Sequence, residues 1–229
     1  VSIGGMHHKM SLNRTVDYFS AVIPGSYQNS YGFGWLSFKI NDVEARQNNS
    51  YKPDYLFSSR DQLFYLTYGR RIWGRLALGM NTKFFYDKLE DSRAFGGAMD
   101  FGLMLRLFKD IKISLVVQDM IANIRWDTGN HEKYNPIYRT GLSFTINNVL
   151  ITSEYMKYGN NESWILGAET KLMGMLKLRS GIGPEQWAVG TGLSVPIWSK
   201  TILLVNYTIL NDPFNVEFSQ IVDFNIQIF

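Results

Sequence analysis

Strict alternation of apolar and polar residues constrains this chain more than any other feature, because side chains of a strand alternate between two faces while those of a helix recur every 3.6 residues. From Leu76 the even positions read Leu76, Leu78, Met80, Thr82, Phe84 and Tyr86, and the odd ones Ala77, Gly79, Asn81, Lys83, Phe85 and Asp87. One face is oily, the other small or charged. The same division sets Met99, Phe101, Leu103 and Leu105 against Ala98, Asp100, Gly102, Met104 and Arg106. It sets Ile111, Ile113, Leu115 and Val117 against Lys112, Ser114, Val116 and Gln118, and it recurs to the end of the chain. A helical membrane protein needs about 18 consecutive apolar residues, and this sequence has no such run.

Counting the alternating runs gives strands near residues 2–9, 15–24, 31–40, 62–71, 75–87, 94–108, 111–119, 138–146, 149–158, 163–172, 176–182, 187–196, 201–209 and 217–228. Spread over the chain, this leaves about 16 residues per strand and connection, which suits membrane-spanning strands of about 9–11 residues. The pattern predicts an all-β chain: a transmembrane antiparallel up-and-down β-barrel of about 14 strands, formed by residues 1–229 as one domain.

The connections separate a membrane barrel from a soluble sandwich. One set holds Asn147-Asn148, Lys109-Asp110, Met173-Gly174-Met175 and Ile72-Trp73-Gly74, each two or three residues long, together with Gly25 to Ser30 and Pro196 to Lys200. The other set runs Met10 to Arg14, Asn41 to Asp61, Lys88 to Arg93, Met120 to Ile137, Gly159 to Glu162, Gly183 to Gln186 and Leu210 to Val216, and its two longest members, of about twenty residues each, are rich in Asn, Asp, Arg and Lys. Outer-membrane barrels carry short periplasmic turns and longer extracellular loops. The expected location is therefore a bacterial outer membrane, with both termini periplasmic and the long loops extracellular. Trp73 and Trp198 lie beside short turns, and Trp126, Trp164 and Trp187 beside long loops, as expected of two interfacial aromatic girdles. An unpaired charge on the lipid face costs about 2–4 kcal/mol at mid-depth. Lys83, Asp100, Arg106, Glu169, Lys177 and Arg179 are therefore expected to face the lumen. A hairpin closed at Met173-Gly174-Met175 sets Glu169 opposite Arg179 as an ion pair, and Lys171 opposite Lys177 near a wet mouth.

Several chemistries are excluded or weakened. The chain has no cysteine, which rules out disulfides, thiolate metal sites and a cysteine nucleophile. Its net charge of +3 comes without a block of like charges, so no nucleic-acid footprint is present. The histidines are His7, His8 and His131. Neighbours His7 and His8 point to opposite faces of a strand, a poor arrangement for a metal pair or a Ser-His nucleophile. Asp54, Asp61 and Glu44 in the longest connection are candidates for a divalent cation, with a solvated polar loop as the default. No cofactor and no resident metal are expected.

Four stretches resemble the PorV-like branch of the FadL-type outer-membrane barrels, a family that includes a subunit of the type IX secretion system and a spirochaete group. They are Leu78-Gly79-Met80-Asn81-Thr82-Lys83-Phe84-Phe85, Ala98-Met99-Asp100-Phe101-Gly102-Leu103, Val116-Val117-Gln118-Asp119-Met120 with Ile124-Arg125-Trp126, and Leu166-Gly167-Ala168-Glu169 with Leu178-Arg179-Ser180-Gly181. Asp119 stands where the family usually has Asn. The family's plug-like N-terminal segment, ending in an Asn-Pro-Ala-Gly-Leu motif, is not found before Val1. The resemblance implies a non-enzymatic outer-membrane scaffold or accessory subunit of a secretion or envelope complex, with protein partners and outer-membrane lipids or lipopolysaccharide around it. A second implication is a FadL-like passive channel for hydrophobic small molecules. An outer-membrane esterase or phospholipase is the third and weakest reading.

Overall fold

A computed structural model describes residues 1–46, 51–211 and 217–229. Every regular element in it is a strand: β1 (Ser2–Met10), β2 (Arg14–Pro24), β3 (Asn29–Ala45), β4 (Tyr55–Trp73), β5 (Leu76–Leu89), β6 (Ser92–Arg106), β7 (Ile111–Trp126), β8 (His131–Glu132), β9 (Ile137–Ile146), β10 (Val149–Tyr158), β11 (Asn161–Leu172), β12 (Leu176–Ile182), β13 (Trp187–Trp198), β14 (Thr201–Asn211) and β15 (Phe218–Ile228). Neighbours pair antiparallel in chain order, β7 pairs with β9, and β1 pairs with β15 from Ser2 opposite Gln227 to Lys9 opposite Gln220. The result is a closed barrel of fourteen strands, with the two-residue β8 as an appendage of β7. Closure satisfies every ladder and removes the exposed edge that an open sheet would present.

The packing is that of a protein turned outward. Among the described residues, the fully buried apolar side chains are only Ala94, Ala98 and Ile124, whereas Phe64, Leu66, Leu78, Phe84, Phe101, Leu115, Leu166, Leu193, Val222 and Phe224 are exposed. These exposed residues share one face of their strands. Lys83 and Asp100, on the opposite face of β5 and β6, are 5% and 3% exposed. A sheet with its oily face bare and its charged face covered is stable only in a hydrocarbon solvent. Fourteen strands about 4.8 Å apart and tilted about 40° wrap a cylinder of about 14 Å backbone radius, wide enough to hold more than side chains.

The structure corrects the expected loops. β3 runs to Ala45 and β4 starts at Tyr55, so most of the connection expected over 41–61 is strand; residues 47–50 of it lie outside the described residues. β7 continues to Trp126, well past the expected end at residue 119. The turns Glu90-Asp91 and Gly159-Asn160 are as short as any on the other rim. The connection expected over 210–216 falls largely on 212–216, outside the described residues. The asymmetry between the rims therefore resides mainly in the strands: β3 to β7 are 17, 19, 14, 15 and 16 residues long, whereas β9, β10 and β12 are 10, 10 and 7. About 9–11 residues suffice to cross, so β3 to β7 form a wall that projects beyond the apolar band.

Candidate functional site

Among the described residues, the inner face of the barrel carries three polar ladders. The first joins β4 to β7. Lys83 Nζ lies 2.7 Å from Asp100 Oδ1 and 2.9 Å from Asp119 Oδ1. The Asp119 backbone N–H donates to Asp100 Oδ1 at 2.9 Å, Asn81 Nδ2 to Asp100 Oδ2 at 3.1 Å, and Thr67 Oγ1 to Asn81 Oδ1 at 2.8 Å. Asp119 reaches Lys83 because β7 bulges there: Met99 faces Ile121 and Phe101 faces Val117, leaving Asp100 opposite the three residues 118–120. Its φ of 53° is a left-handed conformation that Asp and Asn adopt more readily than other non-glycine residues. Either residue at this position would therefore fit the bend.

The second ladder is Arg139 on β9, which donates through Nε (3.0 Å) and Nη2 (2.5 Å) to Glu154 Oε1 on β10 and through Nη1 to Gln118 Oε1 at 3.4 Å. The third runs across β11 to β15. Glu169 sits opposite Arg179, 2.6 Å from its Nε and 3.2 Å from Lys177 Nζ. Arg179 Nη1 donates to Asn206 Oδ1 at 2.6 Å, and Asn206 Nδ2 to Asp223 Oδ1 at 2.5 Å. Lys171 faces Lys177 and Arg106 faces Lys112, both near the short-turn rim. The sequence reading missed Asp119, Arg139–Glu154 and Asn206–Asp223 as partners. Closing β9 and β10 at Asn147-Asn148 would have set Arg139 one diagonal step from Glu154.

An apolar cavity of about 710 Å³ opens where β10 to β14 meet the connection 183–186, lined by Met156, Ile165, Ile182, Pro184, Trp187 and Leu210 among others. Across the mouth, the Tyr134 ring lies 6.4 Å from Phe85 on the inner face of β5, so the β8–β9 connection leans over the lumen. Partial burial, with Glu132 and Asp87 nearby, pushes the Tyr134 phenol up to about 12. It stays neutral at ordinary pH.

Of the tryptophans expected in a girdle, Trp73, Trp198 and Trp164 are exposed at 70%, 72% and 62%, and Trp187 pairs opposite the outward Ile182. Trp126 departs from the expectation. Because β7 extends through the bulge, Trp126 pairs with Ala94 on the inner face and donates from Nε1 to Glu132 Oε1 at 2.7 Å. Glu44, Asp54 and Asp61 are not brought together: Glu44 bonds Arg46, and Asp61 lies within β4 opposite Phe38 and Asp87. No group of three metal-ligating side chains forms among the described residues.

His7, Asp17 and Ser37 stand in one row on the outer wall, with His7 Nδ1 2.7 Å from Asp17 Oδ1. The carboxylate is in the middle. Strands lie about 4.8 Å apart, so Ser37 is two strands from His7, and the hydroxyl-to-imidazole contact of a serine hydrolase is not made.

No family model matches this chain, and no curated protein matches it. Solved structures do. The toluene transporter TodX of Pseudomonas putida aligns with a TM-score of 0.64 at 9% identity over 98% of this chain and 87% of its own. The CymD monoaromatic hydrocarbon channel aligns at 0.60 and 9% identity over 100% and 87%. A FadL homologue from Pseudomonas aeruginosa aligns at 0.62 and 7% identity over 99% and 88%. At these identities the likeness is one of fold: the chain is built as the FadL-type outer-membrane channels are.

Proposed function

We infer that this chain is a passive outer-membrane channel for small hydrophobic molecules, set with both termini on the periplasmic side. The observation that carries the reading is the 710 Å³ cavity at the mouth of the barrel, into which the inward-facing Met156, Ile165 and Leu210 project beside Pro184. A cavity of this size lies in the range of small-molecule sites, which are mostly apolar with a few placed polar groups. The solved neighbours, described as a toluene transporter and a monoaromatic hydrocarbon channel, support the same class of cargo. An apolar solute entering here leaves water for Ile165 and Leu210. It then meets ladders whose charges are already paired, so it breaks no ion pair on the way down. The secretion-scaffold expectation gains no support from these neighbours.

The test is uptake by intact cells of a host lacking its own FadL-type channels. Expression is expected to raise the initial rate of uptake of a labelled monoaromatic hydrocarbon severalfold and leave that of a sugar of similar mass unchanged. Ile165→Lys with Leu210→Lys is expected to abolish the gain at equal barrel yield. Uptake equal to that of empty-vector cells would overturn the reading.

A further inference from the structure

The outer wall carries a row of cations that the channel reading leaves unused. On β3 to β6, four consecutive strands, Lys39 faces Arg60, Arg60 faces Lys88 and Lys88 faces Arg93. Directly opposed residues share a face, with side chains about 5 Å apart. The row lies on the outer face, because Lys83, Asp100 and Tyr65 occupy the alternate, inward positions of the same strands. Arg60, Lys88 and Arg93 are exposed and Lys39 half-buried. None of the four forms an ion pair among the described residues, although Asp17, Glu90 and Asp91 stand on the same hairpins. Beyond Thr15 on β2, Lys9 extends the row by one further cation.

The height of the row is informative. A strand tilted about 40° climbs about 2.5 Å per residue along the barrel axis. Lys39 is ten residues on from Asn29, and Arg60 is thirteen before Trp73. Arg93 is thirteen before Arg106. The four therefore sit about 25–32 Å above the short-turn rim, at and just past the edge of an apolar band about 25 Å tall. The row immediately beneath is interfacial in character: Trp35 Nε1 donates to Gln62 Oε1 at 3.3 Å, and the Tyr86 and Phe95 rings lie 5.0 Å apart. Like charges set directly opposite one another repel. Among the described residues, the one carboxylate that touches the row, Asp127, accepts from the Arg93 backbone N–H at 3.1 Å and pairs with no side chain of the four, so an external anion of matching extent would relieve the repulsion.

We propose that the outer wall of β3 to β6 binds the phosphates of a multiply phosphorylated glycolipid headgroup of the outer leaflet, with Lys39, Arg60, Lys88 and Arg93 as the phosphate contacts and Trp35, Phe64 and Phe84 beneath them against its acyl chains. Guanidinium groups fork onto phosphate oxygens while ammonium groups act as point charges. The alternation of Lys and Arg along the row provides both. The inference stands apart from the channel reading, since it uses the opposite face of the wall.

The test uses the full chain in a neutral detergent and native mass spectrometry with diphosphoryl lipid A, its dephosphorylated form and inorganic phosphate as probes. The wild-type chain is expected to retain the diphosphoryl lipid at least tenfold more tightly than the dephosphorylated one; equal retention overturns the proposal. Lys39→Gln, Arg60→Gln, Lys88→Gln and Arg93→Gln combined are expected to remove that preference. Lys133→Gln, Lys157→Gln, Lys171→Gln and Lys200→Gln, which lose the same charge elsewhere, are expected to keep it. Equal loss in both sets overturns the proposal. Inorganic phosphate that displaces the lipid at equal concentration identifies a free-anion site and also overturns it. Heat-modifiable gel migration reports folding of each variant, and the wild-type comparison stands even if a variant fails to assemble.

Discussion

Lys83 holds two carboxylates on two strands, so its removal strands both Asp100 and Asp119 on the inner wall. Breaking a buried pair by deleting one partner costs about 3–5 kcal/mol. Lys83→Met is expected to lower the unfolding free energy by about that amount in urea titrations of the detergent-folded barrel. Adding Asp100→Asn and Asp119→Asn to it should recover part of the loss, and a triple variant less stable than the single one would contradict this. Facing can be tested one residue at a time as well. Leu103 lies on the outer side of β6, and Met104 lines a cavity on the inner side. Leu103→Arg is expected to reduce the yield of heat-modifiable barrel, with a penalty of about 2–4 kcal/mol, and Met104→Arg to leave it near wild type. Equal yields would refute the assignment.

Pairing between β6 and β7 depends on small residues where the ladder is irregular. A Cβ on Gly96 would lie 2.5 Å from the Asn123 carbonyl oxygen, a backbone atom that cannot step aside, whereas a Cβ on Gly102 meets nothing closer than 3.7 Å. Gly96→Ala is therefore expected to destabilise the barrel by about 1–3 kcal/mol and Gly102→Ala to be nearly neutral, as read from paired denaturation curves; the reverse order would contradict the packing. The two glycines look alike in the sequence, since both fall on the small, polar side of one alternating run. What was legible was the alternation itself, since a period of two follows directly from strand geometry; it located fourteen strands and set Glu169 opposite Arg179. The upper parts of β3 and β4 were not legible. Lys39, Glu44, Arg60 and Asp61 make a strand above the band as polar as a loop. The same blindness moved Trp126 from a girdle to the inner wall, because β7 was ended at its bulge.

At the scale of the molecule, a ring of fourteen strands has an oily exterior, three internal ion-pair ladders among the described residues and an apolar cavity at one mouth, and these features follow from one assignment of faces. The lipid row, the channel and the stability predictions all inherit that assignment. The chain has no cysteine, so single cysteines can be introduced without background at each position from Phe101 to Leu105 and from Ser114 to Val117. The most direct measurement is labelling of each variant in reconstituted bilayers, with a water-soluble maleimide against quenching of a cysteine-attached fluorophore by lipid-borne nitroxide. The account predicts strict alternation, with 102, 104, 114 and 116 reacting from water and 101, 103, 105, 115 and 117 quenched by lipid. Uniform reaction with the aqueous reagent along these strands would contradict it.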